Sequence, residues 1–283
     1  MIKIFKPDNL NRDDVIDLWI DSFGDTREYV DFFLDNCRGY VCIEYFVGDK
    51  PVSMLFLLEG YLSDSKCKYL YAACTHKDFR NRGIMAQLIE YAKQYCVQLN
   101  YSSIFLVPAE EELYSYYKKF GFADVFRKKY LKVKSSFVFD PNYNSTDIDK
   151  ICEVKKSLIK SVECFRFDDE GIRYTVQEHL YNGGSVFLKQ TEGKSILIFY
   201  YFNSNSDLIV KEFLTDYSDI SLVFDEYFDN NNAENVYICI PIVYNSRDVV
   251  ERYTKCGMCV PLNDVLSDFL KDHTDLYAGM YLD

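Results

Sequence analysis

Tyr69-Leu70-Tyr71-Ala72-Ala73-Cys74-Thr75, followed by Arg80-Asn81-Arg82-Gly83-Ile84-Met85 and then by Tyr117-Lys118-Lys119-Phe120-Gly121-Phe122, is the stretch of this 283-residue chain whose reading decides the fold. The first run is apolar and of strand length, and behind it Ile84, Leu88, Ile89 and Ala92 recur at helical spacing. The chain therefore passes from strand to helix around Arg80 to Gly83. Ser102 to Val107 reads as a second buried strand that Pro108 breaks, and Glu110 to Phe120 as a helix that stops at Gly121.

The turn carries chemistry. A helix begins with backbone N–H groups that have no internal partner, and its dipole favours an anion by about 0.3–1 kcal/mol. Gly83 lets a phosphate approach the backbone, and Arg80 and Arg82 add positive charge. Alone, an arginine pair before a helix also reads as a solvated entry loop. The second strand adds to it: two neighbouring strands, one with a phosphate turn and one with a bulge-forming proline, can splay and open a slot for an extended ligand. Together they point to an enzyme with a pyrophosphate-containing cofactor.

These residues resemble the GNAT superfamily of acetyl-CoA-dependent N-acetyltransferases. Its Arg/Gln-x-x-Gly-x-Gly/Ala signature is matched by Arg80 and Gly83, with Met85 where a small residue usually stands; Thr75 to Arg80 and Tyr117-x-x-x-Gly121-Phe122 are similar as well. The resemblance implies acetyl-CoA as cosubstrate and no metal. It implies that backbone amides of Arg80, Arg82, Gly83, Ile84, Met85 and Ala86 hold the pyrophosphate, and that the backbone of Cys74 and Thr75 pairs with the pantetheine arm like an added strand. Tyr117 falls where the family places the acid that protonates the leaving thiolate. The plainer reading of Tyr117 is a helix tyrosine packed on the sheet, in a chain with 25 tyrosines.

The chain is longer than one such domain and suits two. Asp140 to Ser145 is a turn-rich linker, which divides the chain into a catalytic domain over 1–139 and a second domain over 146–283. The second half repeats the first at low fidelity. Helical patterns at Ile148–Ser161 and Asp169–Tyr181 precede strands at Ser185–Thr191, Ser195–Asn203, Leu208–Leu214 and Val236–Pro241. Helices are expected at Ile220–Phe228 and Val249–Lys255, the latter stopping at Gly257. The expected fold class is α/β (α+β), with two tandem GNAT-like domains, each a mixed, mostly antiparallel twisted sheet flanked by helices. Where the first half has Arg80 to Gly83, the second has Asp216 to Asp219, whose carboxylates repel phosphate, so it is expected not to bind the cofactor and to wall the acceptor pocket instead.

The tandem layout, with Asp21 to Asp25 leading into Tyr29, Phe32 and Phe33, resembles the first two domains of the enhanced-intracellular-survival acetyltransferases. The further sterol-carrier-like domain of those proteins is not expected in 283 residues, nor is a base supplied by their chain terminus. Tyr29 to Phe33 reads as a core-facing helix or as a substrate lining. Glu59 is a candidate base for the amine or a strand-end surface charge.

Charge is unevenly spread. Through Ser135 the chain carries 19 Lys/Arg and 19 Asp/Glu, so the net charge of −12 belongs to the rest. That argues against nucleic acid or an anionic membrane as partner and suits a cationic amine acceptor, small molecule or peptide. No run approaches 18 apolar residues and Met1 to Lys6 reads as a strand, so a cytoplasmic protein is expected. Ten cysteines, with one isolated CxxC at Cys256 and Cys259, read as reduced and mostly buried. The function expected is acetyl transfer to a primary amine by direct attack in a ternary complex. The alternative is a non-catalytic acyl-CoA sensor on the same scaffold.

Overall fold

The computed structural model describes residues 1–133, 137–160, 162, 164–191, 193–217, 220, 223, 228–230, 236–241, 250–273, 275–279 and 282. The first half contains β1 (Ile2–Phe5), α1 (Arg12–Phe23), α2 (Arg27–Asn36), β2 (Val41–Val47), β3 (Lys50–Leu62), β4 (Ser65–Thr75), α3 (Ile84–Gln98), β5 (Ser103–Leu106), α4 (Glu111–Lys118) and β6 (Ala123–Val133). Then come β7 (Phe137–Phe139), α5 (Ile148–Ile159), β8 (Cys164–Phe167), α6 (Asp169–Tyr181), β9 (Ser185–Thr191), β10 (Lys194–Phe202), β11 (Leu208–Thr215), β12 (Phe228–Asn230), β13 (Val236–Ile240), β14 (Val250–Pro261), α7 (Asp264–Asp272) and β15 (Tyr277–Ala278). None of the described helices is long and apolar enough to cross a membrane.

One sheet runs through both halves in the order β1-β2-β3-β4-β5-β14-β6-β13-β11-β10-β9. Along this order β4 with β5 and β11 with β13 are parallel and the pairs between these and the edges are antiparallel; off it, β15 pairs parallel with β8 and β8 antiparallel with β3. At the centre the halves exchange strands. β14, from the second half, lies on β5, while β6, from the first half, lies on β13, and β6 and β14 pair with each other.

This corrects the helix expected over Val249 to Lys255: residues 250–261 are strand, with ladders on both sides. A helical pattern a few residues long is a weak signal, and the hydrogen bonds that override it come from strands more than a hundred residues away. Gly257 is not a helix stop. It sits at a register shift of β14, where a Cβ would come within 2.5 Å of the Phe105 ring. The echo of a tyrosine-to-glycine helix in the second half goes with that helix. The helix expected over Ile220 to Phe228 falls mostly outside the described residues, and its last residue opens β12.

The central core is built by both halves. Val15, Trp19 and Phe33 of α1 and α2 join Phe165, Tyr174 and Leu197 in one cluster, whereas α3 and α4 cover the other face of the first half through Leu88, Ile89, Tyr114 and Tyr117. Burying a side chain such as Phe33 contributes about 1.5–3 kcal/mol, and its aromatic neighbours tighten the packing: Phe56 lies edge-on to it at 5.2 Å. All ten cysteines are buried, and none is joined in a disulfide.

Candidate active site

β4 and β5 pair only from Cys67 with Ser103 to Tyr69 with Phe105, and beyond that point they diverge. The cause is in β4. Ala72 has φ +47, a left-handed conformation that costs an L-residue energy, and the β3–β4 register slips there, from Met54 opposite Cys74 to Phe56 opposite Tyr71. The expected proline contributes less: β5 already ends at Leu106, and Pro108 lines the opening.

The divergence opens a cleft of about 420 Å³ between Tyr69–Ala73 on one side and Leu106–Ala109 on the other. Leu113 and Tyr117 of α4 close one wall, and Trp19, Phe23 and Asp25 another. Among the described residues the Tyr117 hydroxyl makes no hydrogen bond, and burial pushes its pKa above the ordinary tyrosine value, so the group holds its proton at neutral pH. The Asp25 carboxylate is oriented by the Trp19 indole N–H, 2.7 Å away.

Past the end of β4 the chain makes a short turn over Lys77–Phe79 and enters α3. Its N-cap is Gly83, at φ +72 and with open space around the place a Cβ would take. Four other helices are capped by a side chain, from Thr26, Asp147, Asp168 and Asn263, but no side chain caps the first turn of α3. Its amides are open to a ligand from outside. Arg80 and Arg82 are exposed beside it and brace the turn, Arg80 Nε donating to the Thr75 carbonyl at 3.0 Å and Arg82 Nη2 to the Asp78 carbonyl at 2.7 Å. Ile84 is buried, and Met85 and Ala86 are half-buried.

Residues 8–122 match the Acetyltransferase (GNAT) family. Within those residues the chain is similar to a GNAT domain. Its fold extends the likeness to the whole length. Eis1 from Mycobacterium abscessus superposes with a TM-score of 0.69 at 8% identity, over 94% of this chain and 75% of that one. A protein of unknown function from Enterococcus faecalis V583, described as a probable N-acyltransferase, gives 0.66 at 10% identity, over 92% and 72%. A tandem GNAT protein from the clavulanic acid biosynthesis pathway gives 0.51 at 8%, over 93% and 99%. No curated protein matches the chain in sequence.

The residues expected to hold the donor lie at the turn, at the end of β4 and in the cleft wall. Tyr117 lines the cleft; Cys74 and Thr75 lie just past it, and the open stretch of β4 is Tyr69 to Ala73. The Cys74 carbonyl accepts from Ser53 Oγ at 2.8 Å, and burial pushes the Cys74 thiol up to about 12, so the thiol is a wall and not a nucleophile. Glu59 is not in the cleft. It is held by Lys68, a buried ammonium, and by the single Tyr101 Oη proton, shared between its two oxygens at 2.7 and 2.9 Å, at the paired end of β4.

Three cleft features lay beyond the sequence reading. Asp25 was legible only as part of an acidic segment, and Tyr71 only as one of many strand tyrosines. The third is Leu282, which lines the cleft and accepts from Tyr69 Oη at 3.1 Å. The acidic stretch of the second half is described only in part: Asp216 Oδ2 accepts from the Ser195 amide at 2.9 Å, while Ser218 and Asp219 lie outside the described residues.

Proposed function

We propose that this chain is an N-acetyltransferase that moves an acetyl group from acetyl-CoA to a primary amine of a cationic acceptor, by direct attack in a ternary complex. The observation that carries the reading is the cleft between diverging β4 and β5, with the uncapped first turn of α3 beyond the end of β4 and Tyr117 in the cleft wall.

When bound, acetyl-CoA supplies an acetyl thioester whose thiolate is the leaving group. The amides of Ile84, Met85 and Ala86, with Arg80 and Arg82, would hold its diphosphate at the helix N-terminus. The backbone of Leu70 to Ala73, beyond the last pairing with β5, would pair with the donor arm and supply the dipoles a developing oxyanion needs. Tyr117 holds its proton in a buried site until the thiolate forms, a contribution of about 10²–10⁴ in rate. Asp25, fixed by Trp19, attracts an ammonium to the same cleft, in a protein whose net charge is −12. Holding donor and amine together makes the reaction effectively unimolecular.

A screen of polyamines, aminoglycosides, amino acids and peptides with acetyl-CoA, read as thiol release, tests the proposal. Thiol release with cationic amines supports it. Tight donor binding without release from any acceptor would leave an acyl-CoA sensor.

A further inference from the structure

An amine in its ammonium form must lose a proton before it can attack, and neither Tyr117, which holds a proton to give, nor Glu59, which is engaged elsewhere, can take it. Three groups from three elements meet beside the cleft. Tyr71 on β4 lines it, next to the Ala72 bulge. Its hydroxyl lies 3.3 Å from that of Tyr29 on α2, and Tyr29 Oη donates to Glu178 Oε1 on α6 at 2.6 Å. Because the single Tyr29 proton points to Glu178, the Tyr71 hydroxyl is the donor to Tyr29. The lone pairs of Tyr71 are thereby left to accept a proton from the cleft. Glu178 is 7% exposed.

The surroundings suit a relay. Tyr174 on α6 and Cys37 lie near the same carboxylate, both uncharged at neutral pH, and the carboxylates that act on Tyr71 are Glu178 first and Asp25 after it. The Tyr174 hydroxyl is buried, with no hydrogen-bond partner among the described residues. Burial raises the pKa values of Tyr29 and Tyr71, so both keep their protons and pass charge by exchange, without standing as tyrosinates.

We infer that Tyr71, Tyr29 and Glu178 form a proton relay that deprotonates the acceptor ammonium, with the second half of the chain supplying the terminal base. The inference rests on the acetyl-transfer reading above. The ammonium gives its proton to Tyr71 Oη, Tyr71 gives its own to Tyr29 Oη, and Tyr29 gives its own to the Glu178 carboxylate. The products of the step are a neutral amine, two neutral tyrosines and a neutral carboxylic acid, and no electrons are transferred. The reverse path returns the proton to water after the product leaves. Tyr71 is the group that touches substrate; Tyr29 and Glu178 act through it.

The test compares two nucleophiles on the full chain with acetyl-CoA: spermidine, whose amines are ammonium ions at neutral pH, and hydroxylamine, which is neutral there and needs no base before attack. The isosteric variants are Glu178→Gln and Tyr29→Phe, with Glu178→Asp as a conservative partial rescue, and donor binding is followed by calorimetry. The expected result is a loss of kcat for spermidine of tenfold or more in both variants, recovered in part by Glu178→Asp. Turnover of hydroxylamine and donor affinity should stay within about twofold. Equal losses with both nucleophiles would mean a structural role and overturn the relay. So would wild-type turnover of hydroxylamine with none of spermidine. If the wild type releases thiol with neither, the acetyl-transfer reading fails, and the relay with it.

Discussion

The Tyr69 hydroxyl donates to the Leu282 carbonyl at 3.1 Å, and this bond ties a segment 213 positions downstream to the wall of the β4–β5 cleft. Tyr277 and Ala278 reach the same region by pairing with β8, which in turn pairs with β3. Replacing Tyr69 by Phe should cost about 0.5–1.5 kcal/mol of stability through the lost hydrogen bond. Leu282→Ala should loosen the cleft wall and raise KM for the acceptor more than it lowers kcat. Steady-state kinetics of the two variants separate these effects; an unchanged KM in Leu282→Ala would show that the segment is only a tether.

Tyr117→Phe keeps the ring against Phe122 and Tyr116 and removes only the hydroxyl. Turnover at saturating substrates should fall by about 10²–10⁴ while donor affinity is nearly unchanged. Wild-type turnover, with chemistry shown to limit the rate, would assign the acid to water or another group.

Gly83→Asp places a carboxylate over the open amides of α3, where it caps the helix itself and repels phosphate. The left-handed backbone at φ +72 adds a modest strain. Donor affinity should fall tenfold or more while the fold persists. Calorimetry of the wild type should give one donor site per chain, and two equivalent sites would place a second cradle in the other half.

Glu44 is buried in β2, and burial pushes its carboxyl up to about 7. The folded pKa is above the unfolded value, so the protonated form is the one folding prefers. The cost is absent below about pH 4.5, grows as pH rises, and is complete above 7, where it amounts to about 3 kcal/mol. Glu44→Gln should therefore be more stable than the wild type at pH 8 and lose most of that advantage at pH 4.5. Parallel melting curves for the two proteins across this range would contradict the assignment.

Lys155 Nζ donates to Glu212 Oε2 at 2.5 Å and Tyr277 Oη to Glu212 Oε1 at 3.1 Å, all within the core. Glu212→Ala should leave a buried ammonium unpaired and cost about 3–5 kcal/mol in denaturant unfolding. A loss under 1 kcal/mol would mean that water reaches Lys155.

Local order is what the amino-acid sequence determined by itself. The strand ending at Thr75, the helix opening at Ile84, the Tyr117 helix and the strands of the second half from Ser185 to Ile240 follow from apolar periodicity, turn residues and the unsatisfied amides of a helix start, and these act over a few residues. The likeness of residues 8–122 to the GNAT family was legible for the same reason, because Arg80 to Met85 is a contiguous piece of chain. Tertiary structure alone decided the rest. It placed β14 between β5 and β6, overriding a short helical pattern, because ladder hydrogen bonds come from partners that sequence spacing does not reveal. It opened the cleft through a left-handed Ala72, a conformation no propensity assigns to alanine. It also brought Tyr29, Tyr71 and Glu178 together, since a contact across 149 positions is chosen by how α2 and α6 pack on one shared core, and only the folded sheet sets that distance.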